Sequence, residues 1–190
     1  MPRVIGTALV LAILAGVLLL IYVRTTGLDA RPLPGSAETV VARAVRRFAV
    51  PPDIRNRPNP VAASAAALDE GLGHFADHCA SCHANDGSGD TEMGRGMYPK
   101  APDMRLAPTQ DLTDGELFYI IERGIRFTGM PAWSTGTPEG EESSWKLVHF
   151  IRHLPRITEA DLERMQGMNP APPESIRQQI AEEQFLGGAQ

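Results

Sequence analysis

The sequence predicts an all-α protein in which one membrane-spanning helix and a proline-rich stalk precede a small helical domain. Three observations predict this class. A run of 20 residues near the amino terminus carries no charge, six prolines lie between residues 32 and 60, and apolar residues beyond them recur at helical spacing. The globular part of the 190-residue chain is therefore small. Domains of that size often need a disulfide, a metal or a prosthetic group for stability.

Charge is distributed unevenly along the chain, whose formal net charge is −5. Residues 24–60 carry seven arginines against three acidic residues, whereas residues 61–155 carry 14 acidic residues against seven basic ones. Recognition of nucleic-acid phosphates needs a basic face. We therefore exclude a nucleic-acid-binding function for this acidic domain.

The first segment, residues 4–23, reads VIGTALVLAILAGVLLLIYV. At about 1.5 Å per residue, a helix of this length matches a hydrocarbon core of about 30 Å. A cleaved signal peptide is the alternative, but its apolar region is usually about 7 to 15 residues long and is followed by small residues. Leu28-Asp29-Ala30 is a poor cleavage site, so we expect a retained transmembrane anchor.

The stalk, residues 24–61, contains prolines at both ends that favour extended chain. One short helix fits between them, capped by Ser36 and amphipathic. Its apolar face carries Val41, Val45 and Phe48, and its opposite face carries Arg43, Arg46 and Arg47. The helix either contacts anionic lipid or lies against the following domain. We favour the second alternative, because so short a helix gains little from lipid alone.

The cysteines of the chain occur only in Cys79-Ala80-Ser81-Cys82-His83, a C-x-x-C-H motif. This motif is typical of covalent haem c attachment. On one helical turn, the thiols of Cys79 and Cys82 reach the two vinyl groups of a porphyrin and form thioethers. The imidazole of His83 then becomes an axial ligand of the iron.

Three other sites use similar residues, and each fits less well. A structural zinc site takes four cysteine or histidine ligands, and the chain has no second cysteine pair. A thioredoxin-like motif needs a βαβ pattern, which the flanking sequence lacks. A simple disulfide would leave the adjacent histidine unexplained.

The segment before the motif resembles that of class I cytochromes c. Gly71-x-x-x-Phe75-x-x-x-Cys79 is similar to the lead-in helix of that family, in which the glycine permits close helix crossing. Apolar spacing independently predicts a helix from Ala66 to Cys79. Residues 85–90, rich in Gly, Asn and Asp, predict a turn-rich loop.

The resemblance also implies a second axial ligand, Met130, in Gly129-Met130-Pro131-Ala132-Trp133. A thioether ligand favours ferrous iron and raises the reduction potential. The motif follows a predicted helix that begins at a capping box, Thr113 to Glu116, and runs towards Gly124. The reserve candidates for this ligand are Met93, Met97 and Met104.

Pro102 resembles the family's proline whose carbonyl accepts the second ring N–H of the proximal histidine. Such a partner fixes the ring and raises its basicity. Pro99 is an alternative, and a purely structural turn explains either proline equally well.

A last domain helix is expected from Glu142 to Leu154, ended by Pro155. Its Phe150-Ile151-x-x-Leu154 resembles the ending of the family's C-terminal helix, which crosses the first one. We therefore expect Phe150 or Trp145 to pack near Gly71 and Phe75. Four histidines on these two helices are expected to be exposed surface residues rather than ligands: His74, His78, His149 and His153.

The predicted organisation is an anchor (residues 4–23), a periplasmic stalk (24–61), a haem domain of three to five helices (62–156) and a tail (157–190). In the tail, Thr158 caps a predicted helix over Glu159 to Met165, and a polar helix is expected from Glu174 to Leu186. The whole arrangement is similar to that of bacterial membrane-anchored monohaem cytochromes.

This resemblance implies a one-electron carrier rather than an enzyme. Its partners would be a quinol-oxidising complex or dehydrogenase as donor and a terminal oxidase or reductase as acceptor. Because haem is attached on the outer face of the cytoplasmic membrane in such bacteria, the amino terminus would lie inside and the haem domain in the periplasm. Acidic residues on the domain suggest docking on basic partner surfaces. A fixed subunit of a respiratory complex and a haem gas or redox sensor with a displaceable methionine remain the alternatives.

Overall fold

The computed structural model describes residues 2–171, and the chain divides into two compact units after Pro32. The regular elements within residues 2–171 are helical throughout, which confirms the predicted all-α class. The polar helix predicted from Glu174 to Leu186 lies outside the described residues.

The first unit contains α1 (Pro2–Thr26). From Val4 to Thr26 this helix is long and apolar enough to cross a membrane. Its large apolar side chains are exposed, as a single-pass anchor would require.

The second unit is built from short helices joined by turns and loops. These helices are α2 (Ser36–Ala49), α3 (Pro52–Arg55), α4 (Ala65–His74), α5 (Ala80–His83), α6 (Glu92–Arg95), α7 (Ala107–Gln110), α8 (Asp114–Arg123), α9 (Pro138–His153) and α10 (Glu159–Gln166). A π-helical turn, Phe75–Cys79, joins α4 to α5, so the predicted lead-in helix is present but changes its winding over its last five residues.

The core forms where α4 crosses α9. A Cβ atom at Gly71 would overlap the carbonyl oxygen of Lys146, so only glycine permits this close approach. The ring centroids of Phe75 and Phe150 lie 5.0 Å apart, and both side chains are buried. This confirms the expected crossing. Trp145 instead stacks on Phe118 of α8, at 4.1 Å between ring centroids.

The predicted capping box begins α8 as expected. The Thr113 hydroxyl accepts a hydrogen bond from the Glu116 amide (3.1 Å), and the Glu116 carboxylate accepts one from the Thr113 amide (2.9 Å). The helix ends at Gly124 with φ +63°. At the first turn, Gly115 lies directly against the carbonyl of Ile54 in α3, a contact that sequence spacing did not indicate.

Two predicted helix starts are wrong. The α9 helix begins at Pro138 rather than Glu142, because the Thr137 hydroxyl caps the Gly140 amide and proline suits the first helical turn. Ser36 does not cap α2; Gly35 is the N-cap residue and no side chain caps this end. The expected Thr158 cap of α10 is confirmed, and Met165 on that helix is fully buried.

The stalk helix α2 contacts the rest of the second unit, but through its polar side. The Tyr98 hydroxyl donates to the Glu38 carboxylate (2.6 Å), and Arg47 Nε lies 3.7 Å from Glu116 Oε1. The expectation that this helix lies against the domain is therefore confirmed. The apolar face of α2 is exposed rather than covered.

Of the four histidines expected at the surface, only His78 is exposed. The other three are half-buried because each has a structural partner. His74 pairs with the Ser143 hydroxyl (3.2 Å), His149 with the Val61 carbonyl (2.8 Å) and His153 with Asp161 (3.1 Å).

Candidate functional site

The C-x-x-C-H residues lie where the π-helical turn passes into α5. The Ala80 amide bonds to the Phe75 carbonyl across this wider turn. Cys79 and Cys82 are free thiols, and Cys79 packs against the core cluster. Burial, reinforced by neighbouring Cys82, raises the pKa of the Cys79 thiol to about 12. π-Helical turns are frequent at functional sites, and this one places both cysteines at the edge of the core.

The His83 ring is half-buried and lies 6.5 Å from the Phe75 ring, between centroids. Burial lowers the pKa of His83, while the Pro102 carbonyl acts in the opposite direction by stabilising the protonated ring. The Nδ1 atom is buried and has no well-formed hydrogen bond in the part of the chain that the structure describes. The lowered pKa favours the neutral form of the ring, which is the form that binds metal ions.

The loop after His83 is tied back by backbone hydrogen bonds. The Gly89 amide donates to the His83 carbonyl, and the Met104 amide donates to the Gly87 carbonyl, each at 2.8 Å. Gly89 has φ +73°, and a Cβ atom there would overlap the Ala101 carbonyl. This close approach brings the chain around Pro102 to the His83 side.

Arg105 locks the same loop with charge-assisted hydrogen bonds. Its Nε and Nη2 donate to Asp103 at 2.9 and 2.7 Å, and its Nη1 donates to Asp86 at 2.8 Å. The hydrogen bonds from Arg105 hold the pKa of Asp103 below its ordinary value of 3.8. Sequence reasoning missed this residue, since only the fold brings the two aspartates together.

Ala84 has φ +60° and ψ 157°, a conformation that is nearly restricted to glycine. It follows His83 directly. The chain therefore stores backbone strain beside the candidate ligand.

Met130 lies in a separate loop that is closed by local bonds. The Ile125 amide donates to the Met130 carbonyl, and the Met130 amide donates to the Thr128 hydroxyl, both at 3.1 Å. The Trp133 amide bonds to the Ile121 carbonyl at the end of α8 (3.0 Å). Met130 is half-buried.

The reserve methionines differ in their positions. Met93 Sδ lies 3.3 Å from Cys82 Sγ, whereas Met104 is buried in the core. Met97 packs against Gly129, directly beside Met130. The structure thus brings Cys79, Cys82, His83 and Pro102 together. Met97, in the same loop as Pro102, contacts Gly129 in the Met130 loop.

These residues fit a haem c. Two unbridged thiols lie three residues apart beside a neutral imidazole, and the buried Nδ1 of that imidazole lacks a well-formed partner. Methionine thioethers are soft ligands that suit the second axial position of a haem iron, and Met93 and Met97 lie in the chain segment that follows His83.

The helical fold and the cysteine–histidine site together define a class I c-type cytochrome. Comparison with known families agrees: residues 66–151 match the family model of the cytochrome c oxidase, cbb3-type, subunit III. Over this region the chain is therefore a class I c-type cytochrome domain. It carries covalently bound haem c with its iron, and its chemistry is electron transfer.

Proposed function

We propose that the chain is a membrane-anchored, periplasmic one-electron carrier. Cys79 and Cys82 would hold the haem through thioether bonds, and His83 and Met130 would bind its iron. When bound, the haem supplies an iron that gains and loses one electron. The observation that carries this proposal is the placement of both thiols and a half-buried imidazole at one turn of helix.

His83 needs a fixed orientation to serve as a ligand. We assign its Nδ1–H to the carbonyl of Pro102, which lies close enough to the ring to oppose the lowering of its pKa. A Cβ atom at Gly89 would come within 3.1 Å of the Pro102 carbonyl oxygen, so the close packing of this glycine limits where the carbonyl can lie. Ring orientation and basicity are thereby set by the loop rather than by solvent.

Met130 is proposed as the second ligand because its loop is closed on itself and anchored to α8 through Trp133. With two protein ligands, the iron has no open position for a substrate. The two protein ligands would change their positions little when the iron gains or loses an electron. Both properties favour an electron carrier over an enzyme.

We further propose that α1 spans the bacterial inner membrane, with the amino terminus inside and the haem domain in the periplasm. Its length and composition support spanning. The donor would be a quinol-oxidising complex or dehydrogenase and the acceptor a terminal oxidase or reductase. Because the haem domain is acidic, encounters with basic partner surfaces should be fast and salt-sensitive.

One observation favours a second function, that of a fixed subunit of a respiratory complex. The family model that matches residues 66–151 is described as a subunit of a cbb3-type oxidase. In that case the haem would be one relay step within the complex.

Purification of the full chain in mild detergent separates these two functions. A carrier should elute alone, and in nanodiscs it should then be reduced by a quinol-oxidising complex and reoxidised by an oxidase, with rates that fall as ionic strength rises. Stoichiometric co-elution with oxidase subunits would establish the fixed subunit. A lone holo-protein that exchanges electrons with neither complex would contradict the proposed function.

A further inference from the structure

The stalk helix α2 presents an apolar face that nothing in the described residues covers. Val41 and Val45 are each 61 % exposed, and Phe48 is 89 % exposed. On the opposite side, Thr39 and Arg46 are half-buried against the second unit. An amphipathic helix that packed on a protein core would have the reverse orientation.

Polar contacts attach α2 to the rest of the second unit at both ends of the helix. The Tyr98 hydroxyl bonds to Glu38 near the start of the helix, and the Arg55 side chain bonds to the Arg47 carbonyl near its end. Arg47 also faces the buried carboxylate of Glu116 at 3.7 Å. With these contacts in place, the apolar face of α2 is exposed.

We propose that α2 is an in-plane membrane helix whose apolar face inserts at the boundary between lipid headgroups and acyl chains. This inference rests on the proposed anchoring by α1. Residues 27–35, between α1 and α2, span at most about 30 Å even when fully extended. The helix therefore cannot move far from the membrane surface.

The linking segment also has the composition of a membrane surface contact. Leu28 and Leu33 are 90 % and 73 % exposed, and Arg24 and Arg31 lie beside them. Arg43 and Arg47 lie on the opposite, polar side of α2. Arg24, in the last turn of α1, can extend towards lipid phosphates while its stem lies along the apolar boundary.

The shortness of α2 argues against lipid binding by an isolated helix. It does not argue against binding by a tethered one. The anchor makes insertion an intramolecular step at an effective lipid concentration that a free helix never experiences. A weak intrinsic affinity is then sufficient.

Insertion would orient the haem domain relative to the bilayer. The helix is bonded through Glu38 to Tyr98, which lies in the same loop as Met97 and Pro102. That loop adjoins both candidate axial ligands. The membrane surface would thereby determine which side of the haem site faces a partner in the same membrane.

The test uses nitroxide labels on single added cysteines in the full-length holo-protein, one copy per nanodisc, with partly anionic lipid. In the holo-protein, Cys79 and Cys82 are expected to be thioether-bonded, and the parent protein must take up no label. Val45→Cys reports on the apolar face and Arg43→Cys on the opposite side of the same helix. Unchanged haem absorption verifies that each variant is folded.

We expect the label at position 45 to collide several-fold more with oxygen, relative to a water-soluble nickel chelate, than the label at position 43. In Phe48→Asp this difference should disappear. Equal accessibility of the two labels would overturn the inference, as would protection of position 45 that appears only with two copies per nanodisc or with an added redox partner.

A third label, at Leu14→Cys in α1, separates failure of the inference from failure of the anchor. Protection at position 14 with full water exposure at position 45 would refute insertion of α2 and leave the anchored carrier intact. Water exposure at both positions would refute the anchor, and the proposed insertion with it.

Discussion

The two regions that supply the candidate axial ligands are built in different ways. His83 follows a turn packed into the core, and its loop is tied back by amides of Gly89 and Met104. Met130 lies in a loop with local bonds, whose tip, Phe127, is 94 % exposed.

The fold therefore fixes His83 more firmly than Met130. Long-range packing holds the His83 side, so moving it requires partial unfolding. The Met130 side is held mainly by a short turn with an exposed tip, and we expect this turn to open at a lower free-energy cost. A change in iron ligation should therefore begin at the methionine.

The largest effect should come from Gly71→Val, which disrupts the crossing of α4 and α9 that supports the His83 side. The added side chain would overlap the Lys146 carbonyl and force α4 and α9 apart. We expect a loss of about 3 kcal/mol in the free energy of unfolding, measured with urea on the holo-protein. Gly73→Ala, on the same helix, is the control, because its Cβ would make only an ordinary contact with Met168. Equal losses in both variants would contradict the role assigned to this crossing.

Met130→Ala removes the second candidate axial ligand. The reduction potential should fall by on the order of 100 mV, and the weak far-red methionine-to-iron band should disappear. Because the iron position opens, the reduced protein should bind carbon monoxide readily, with little change in folding.

Met97→Leu is the matched control for that experiment and should keep both the band and the potential. If Met97→Leu loses them while Met130→Ala does not, Met97 is the ligand. Ready binding of carbon monoxide by the unaltered protein would instead support the sensor alternative.

Arg105→Gln removes the charged bonds that join Asp103 to Asp86. We expect the free energy of unfolding at pH 7, measured with urea, to fall by about 1–2 kcal/mol. The folded-state pKa of Asp103 is depressed below 3.8, so this stabilisation is present above that pH and is lost as pH falls through the folded-state pKa.

The difference in the free energy of unfolding between the unaltered protein and Arg105→Gln should therefore become smaller at acidic pH. Arg95→Gln, whose pair with Asp90 is exposed, should change stability little at either pH. A difference that is constant with pH would show that the pair does not stabilise this loop.

The smallest effects should come from relieving backbone strain on each side. Ala84 and Phe127 both have positive φ without being glycine. We expect Ala84→Gly to stabilise the holo-protein by about 1 kcal/mol and Phe127→Gly by about 0.5 kcal/mol, after the entropy cost of glycine. Thermal unfolding measures both. Destabilisation in either variant would show that the strain there is not relieved.

Features encoded in short windows of sequence were predictable. The capping box at Thr113, the end of α8 at Gly124 and the cap at Thr158 depend on neighbouring residues, and the structure has all three. The Gly71 crossing was predictable because the family resemblance supplied the partner helix. The C-x-x-C-H cluster was predictable because its residues, 79–83, are contiguous in the sequence.

Features that depend on distant residues were not predictable. Nothing local indicates that Gly115 meets Ile54, that Arg105 bridges two loops, or that α2 turns its polar side inward. The start of α9 is different, because Thr137-Pro138 carried a readable signal that was overlooked. The roles of Pro102 and Met130 depend on tertiary placement, and they stay predictions.

The most direct test of haem attachment at the cysteine pair is the intact mass of the full chain after denaturation and acid–acetone extraction. We expect the mass of the polypeptide plus one haem, with colour retained in the protein, and the bare polypeptide mass for the Cys79→Ala, Cys82→Ala variant. A colourless, unmodified mass for the unaltered chain would contradict covalent attachment and the electron carrier built on it.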